Sequence, residues 1–157
     1  MPVIVIGADT PVGEAITASL IARPGEVRAF VSDASAALLL QTDGVKVAVG
    51  DVSDGSHIEG AALGCFSAVV IPEAAFDHRE RSFTNSPATT VGTWVSALSD
   101  AAVRRLIWLE DPRVAAPIDN SVRSTIQVVL IDTKRRPSVE IAAEVVRLDA
   151  LASPEEV

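Results

Sequence analysis

Val3-Ile4-Val5-Ile6-Gly7-Ala8-Asp9-Thr10-Pro11-Val12-Gly13 lies almost at the start of the chain, and its reading decides the fold. Four β-branched residues in a row leave no polar face, which suits a parallel strand covered on both sides rather than one half open to water. Gly7 ends the run. Thr10-Pro11 then has the form of a helix start, with a hydroxyl at the N-cap and proline at the first helical position.

A strand, a glycine turn and a helix in such quick succession make a place where phosphate can sit at a helix N-terminus. A dinucleotide asks for glycine here to turn tightly, to admit the pyrophosphate and to pack helix on strand. Gly7 and Gly13 fall at the first and third positions of a GxxGxxG pattern, and Thr10 holds the middle one. The same residues also serve as a plain helix start. Asp9 would then be a resident anion at the helix terminus, favoured there by the dipole and repelling pyrophosphate. Retained dinucleotide binding and a cofactor-free scaffold both stay open at this point.

Outward from this stretch, strands and helical patterns alternate. A helix carrying Ile16 and Leu20 closes at Arg23-Pro24-Gly25, followed by a strand at 27–31, a short helix at 34–40 and a strand at 45–49. A short helix at 58–63 precedes a strand at 67–71, which Pro72 ends because it cannot donate to the ladder. Residues 73–87 read as a polar loop. Residues 88–103 are helical in pattern with Val91, Trp94, Val95 and Leu98 on one side; strands at 106–109 and 126–131 and a helix at 138–151 complete the chain. This alternation predicts an α/β fold: one doubly wound, Rossmann-type parallel sheet in the order 3-2-1-4-5-6 with helices on both faces, ligands lying at the carboxyl ends of the strands. Residues 1–157 are expected to form a single domain.

Composition agrees and excludes. Apolar residues make up 48% of the 157, yet only four Phe and two Trp are present and no Tyr, so the core is aliphatic. Trp94 and Trp108 are expected inside it. The net charge of −8 opposes direct binding to nucleic acid or to an anionic membrane. The pairs Arg104-Arg105 and Arg135-Arg136 are too short to reverse that and read as solvated ends of elements. Cys65, the sole cysteine, allows no intrachain disulfide and reads as a small buried apolar residue. His57 and His78 lack the spacing of metal ligands. No apolar run reaches the ~20 residues of a membrane span, and Met1-Pro2 leads straight into a strand, so the cytoplasm is the expected location.

The chain resembles the atypical and extended short-chain dehydrogenase/reductases, the NmrA-like proteins among them. Gly7-Ala8-Asp9-Thr10-Pro11-Val12-Gly13 is similar to the family's GATGxxG loop, Val27-Arg28-Ala29-Phe30-Val31 to its second strand and Val49-Gly50-Asp51-Val52-Ser53-Asp54 to its third turn. Ala101-Ala102-Val103-Arg104-Arg105-Leu106-Ile107 resembles the passage into its fifth strand, and the stretch beginning Ser138-Val139-Glu140-Ile141 its late helix. The resemblance implies NAD or NADP as cofactor, with Asp51 and Val52 facing the adenine, Ser32 and Asp33 meeting the adenosine ribose, and Ile71 and Pro72 beside the nicotinamide. Many relatives carry arginine where Ser32 stands, to meet the 2′-phosphate of NADP, so the site leans to NAD. Asp33 also lies near the spacing of about 20 residues beyond the glycine loop at which a carboxylate accepts ribose hydroxyls.

The family's usual catalysis uses a Tyr-x-x-x-Lys pair and a serine after the fifth strand. Here there is no tyrosine, the only lysines are Lys46 and Lys134, and Glu110-Asp111 stands in the serine's place. Sixteen residues between Leu109 and Ile126, with Pro112 and Pro117 among them, leave little room for the helix that carries the pair. Glu110-Asp111 reads as a turn cap more readily than as a general base, and no catalytic residue or metal site is assigned. The function expected is therefore a non-catalytic nucleotide-sensing, regulatory or scaffold role, its partners a dinucleotide or other small molecule and, in a scaffold, a protein or a second copy. The alternative is a flavin- or biliverdin-reductase type of enzyme, in which the cofactor carries the hydride chemistry and residues 73–87 supply a lid.

Overall fold

In the computed structural model, which describes residues 2–76 and 83–151, six strands form one parallel sheet. They are β1 (Val3–Ile6), β2 (Val27–Val31), β3 (Lys46–Val49), β4 (Ser67–Val70), β5 (Arg105–Leu109) and β6 (Gln127–Ile131), in the order β3-β2-β1-β4-β5-β6. The expected order is the observed one. The switch point falls where β1 lies between β2 and β4, with Ile6 level with Phe30 on one side and Val70 on the other.

Among the described residues six α-helices flank the sheet: α1 (Pro11–Ile21), α2 (Ala34–Thr42), α3 (Gly55–Ala62), α4 (Pro87–Asp100), α5 (Asn120–Arg123) and α6 (Ser138–Asp149). Alternate residues of each strand feed opposite cores, because side chains point to opposite faces in turn. Val3, Val5, Ile107 and Leu109 meet Ile16 and Leu20 of α1 and Ile141 and Val145 of α6 on one face. Ile4, Ile6, Leu106 and Trp108 meet Ile58 of α3 and Trp94 and Leu98 of α4 on the other. Both tryptophans are fully buried, as is Cys65 at 4% exposure.

Capping side chains set boundaries that apolar periodicity misses. The helix read at 58–63 starts at Gly55, because Asp54 Oδ1 accepts the amides of Ser56 and His57 at 3.1 and 3.3 Å. The helix read from 88 starts at Pro87, with Ser86 Oγ accepting the Thr89 amide, and ends before Val103 as Ala102 turns left-handed at φ 60°. Part of the stretch read as a polar loop is a buried 3-10 turn, Pro72–Phe76, whose Ala74 and Ala75 pack into the core. Residues 77–82 of that stretch, His78 included, lie outside the described residues.

Arg105 corrects the reading of its pair as a solvated end. Arg104 is exposed, but Arg105 is 1% exposed. Its Nη1 donates to the carbonyls of Leu148, Asp149 and Leu151 at 2.8, 3.3 and 2.9 Å, and its Nε to Gln127 Oε1 at 2.8 Å. The guanidinium thus caps the last turn of α6, where unsatisfied carbonyls and the negative dipole end favour a cation. Burial pulls its pKa below the ordinary arginine value, and Asp149 opposes that shift.

Candidate functional site

The turn from β1 to α1 is built by its own two glycines. Gly7 sits at φ +95°, and a Cβ there would meet Ile71 Cβ at 3.0 Å and Ala74 Cβ at 3.1 Å. A Cβ on Gly13 would overlap the Gly7 carbonyl oxygen and lie 2.8 Å from Thr10 Oγ1. Both positions therefore exclude a side chain for reasons internal to the fold: the 3-10 turn presses on one and the loop backbone on the other.

Thr10, at the middle position, is only 8% exposed. Its hydroxyl donates to the Gly7 carbonyl at 2.7 Å and accepts the Gly13 amide at 3.1 Å, so the threonine closes the turn upon itself. Pro11 has no N–H to offer. Two of the donors that a helix N-terminus could turn toward an anion are in this way already removed or engaged. Ala8 is buried within the turn, Asp9 and Val12 are half-buried and Pro11 is exposed.

The other residues singled out by sequence lie at the carboxyl ends of neighbouring strands. Past β2, Ser32 and Asp33 are half-buried, and Asp33 is the N-cap of α2, its Oδ1 accepting the Ser35 amide at 2.8 Å. Past β3, Asp51 Oδ1 accepts the Ser53 amide at 2.8 Å and the Ser53 hydroxyl at 2.5 Å. Val52 points into the core at 5% exposure, and its carbonyl accepts the Trp94 indole N–H at 2.6 Å. Past β4, Ile71 and Pro72 are buried, and Ile71 touches the place a Gly7 Cβ would take. The fold thus brings 7–13 against Ile71 directly and sets Ser32, Asp33 and Asp51 along the same edge of the sheet.

Arg113 faces this edge, and the sequence reading missed it. It follows β5 in a turn that Asp111 holds: Asp111 accepts the Arg113 amide at 2.9 Å and its guanidinium at 3.0 and 2.7 Å. The Arg113 hydrogen bond holds the Asp111 carboxyl below its ordinary range, while the guanidinium lies 3.8 Å over the Phe76 ring. With Asp9, Thr10, Pro11, Glu73 and Phe76 it lines a cleft of about 360 Å³. Asp111 of the pair Glu110-Asp111 thus holds the turn before Arg113. Nothing in the local sequence tells that Arg113 crosses to the first turn, since the two meet only through the sheet order.

A larger cavity, about 710 Å³, opens at the carboxyl ends of β5 and β6. Among the described residues no group of His, Cys, Asp and Glu could hold a metal ion, and no helix is long and apolar enough to cross a membrane.

A family model described as NAD(P)H-binding matches residues 7–151. No curated protein matches the sequence. Among solved structures, the chain is similar to anaerobillin reductase from Escherichia coli O157:H7, with a TM-score of 0.69 and 15% identity over 98% of this chain and 92% of that one. Serine dehydrogenase from Escherichia coli gives 0.68 and 15%, covering 100% and 94%. Triphenylmethane reductase from Citrobacter sp., complexed with NADP(H), gives 0.59 and 18% over 94% of this chain and 46% of its own, so this chain spans about half that enzyme's length. At such identities the likeness is one of fold.

Proposed function

The chain belongs to the NAD(P)H-binding family, and from that membership we propose that it binds a nicotinamide dinucleotide at the turn 7–13 and acts as a non-catalytic sensing, regulatory or scaffold module. The observation that carries the second half is the β5–β6 crossover: its only helix among the described residues is α5, four residues long, in a chain without tyrosine. A proton relay of the family's usual kind has neither its residues nor the helix to hold them.

The first turn fits the group in part. The glycine positions keep the tight turn and the close helix–strand packing, while Thr10 fills the middle position and Asp9 and Glu73 bring carboxylates to the cleft. Binding is therefore weak on this reading, with Arg113 as the cation nearest the phosphates, Asp33 on the ribose, and Ser32 tilting preference to NAD. Ala8, Val12, Asp51, Val52, Ile71 and Pro72 shape the edge along which the dinucleotide would lie. The reading takes residues 1–157 as one domain, with a protein or a second copy as partner in any scaffold role. Calorimetry with NAD, NADH, NADP and NADPH tests it. Saturable heat, stronger with the non-phosphorylated pair, is expected; no heat with any of the four overturns it.

A second reading, an oxidoreductase without a Tyr–Lys pair, is favoured by the cavity at the ends of β5 and β6. Nicotinamide bound beside Ile71 and Pro72 would supply the hydride chemistry. Oxidation of NADH or NADPH with a flavin, a quinone or biliverdin is its signature, and the absence of all three rejects it.

A further inference from the structure

α1 and α2 cover the same face of the sheet, since Ile16 and Leu20 of one and Ala37 and Leu40 of the other enter one core. β1 and β2 are parallel neighbours and each helix starts past the carboxyl end of its strand, so the two helices run back side by side in the same direction. Between them lies a cleft of about 320 Å³, near the lower end of the range for small-molecule sites. One wall is Glu14, Thr17, Ala18 and Ile21, a single face of α1; the other runs along α2 from Ala36 to Asp43 with the same spacing. Each stripe is about 10 Å long at the α-helical rise.

The two ends of the cleft are acidic and its middle is apolar. Glu14, with Asp9 beyond it, stands at the end where α1 begins, and Asp43, the C-cap of α2, stands at the other. Between them lie Ala18, Leu39 and Leu40, with Leu39 left 72% exposed. Every polar side chain on these walls is an acceptor: the carboxylates, and the buried hydroxyl of Thr17, whose proton goes to the Gly13 carbonyl at 2.7 Å. Among the described residues neither Glu14 nor Asp43 enters an ion pair, and Arg23, just past α1, is taken by Asp149. Asp43 also sets its charge at the negative end of the α2 dipole, and neither helix has a basic residue in its last turn to offset it. A cation from outside the chain relieves that placement.

We propose that this cleft binds a linear aliphatic diamine, its methylene chain on Ala18, Leu39 and Leu40 and one ammonium at each carboxylate end. A single cation leaves one end unmet, and an anion meets acceptors throughout. The probe is 1,6-diaminohexane, whose extended length suits the stripes, titrated into the full chain without any dinucleotide and followed by backbone amide signals in ¹H–¹⁵N spectra. Saturable shifts confined to the facing sides of α1 and α2 are expected. Hexylamine, with the chain and one charge, binds about threefold more weakly, the worth of one exposed ion pair. 1,2-Diaminoethane, with both charges and no span, gives no saturable shift there. Glu14→Gln and Asp43→Asn each weaken the diamine by about the same factor with unchanged circular dichroism, and Asp43→Asn does not lower Tm because the charge it removes opposes the dipole. Shifts spread over the acidic surface, 1,2-diaminoethane binding as tightly as 1,6-diaminohexane, or both variants binding the diamine as the parent does overturns the proposal. Because the titration contains no dinucleotide, failure of NAD or NADP to bind leaves its result intact, and the reverse holds as well.

Discussion

Gly7 and Gly13 survive where the packing of the turn demands them, and Thr10 replaces glycine at the one position whose smallness would serve a ligand. Gly13→Ala drives a methyl into the Gly7 carbonyl and Thr10 Oγ1. Overpacking of this kind costs about 1–3 kcal/mol, and with backbone as the obstacle the upper end is expected, read as a lower urea midpoint. Thr10→Gly acts in opposite directions on two measurements. Stability falls by up to about 1 kcal/mol as the cap and its bond to Gly7 are lost. Dinucleotide affinity rises, since the Gly13 amide is freed and the loop opens; an unchanged or weaker calorimetric affinity would count against the site proposed at 7–13. Cys65 is a test of burial alone. Desolvation pushes its thiol pKa up, with Arg28 opposing, so a thiol reagent at mildly alkaline pH leaves the folded chain unlabelled and labels it fully in denaturant.

Helix ends carry the next set of effects. Asp54 caps α3, and its carboxyl is held below the ordinary aspartate range, chiefly by the Ser56 hydroxyl. A carboxyl whose folded pKa is depressed contributes its stability in full above the unfolded value and loses it as pH falls through the folded one. Asp54→Ala should therefore lower Tm against the parent at neutral pH, and the gap should close as the pH is taken below about 4. At α6 the burden rests on the other end. Pro137 offers no capping side chain, while Arg105 serves three carbonyls of the last turn. Arg105→Met keeps the length but leaves those acceptors unpaired, for an expected loss of about 3 kcal/mol in chemical denaturation. Lysine at 105 restores only part of it, because a single ammonium does not reproduce the guanidinium fork held between Gln127 and the helix end.

For the molecule as a whole, the two cores lie on opposite faces of the sheet, and Trp94 ties α4 to the third turn by its bond to Val52. The alternation of β-branched runs with helical patterns was enough for the layers and even the strand order, because a parallel sheet with right-handed crossovers admits few arrangements. The Thr10-Pro11 start of α1 was equally legible, since a cap acts on residues three or four away. Arg105 and Arg113 were not. Two adjacent arginines look like a solvated end until the sheet sets the first residue of β5 against the last turn of α6, more than 40 residues on in the chain. Arg113 looks like an ordinary turn residue until the switch point folds the loop after β5 toward Asp9 and Phe76. The sequence by itself determined the kind of layers and the local caps, whose partners are neighbours along the chain. Only the tertiary structure decided which cation is buried, which one faces the first turn, and where the shortened crossover leaves a cavity, because those outcomes depend on groups that meet across the fold.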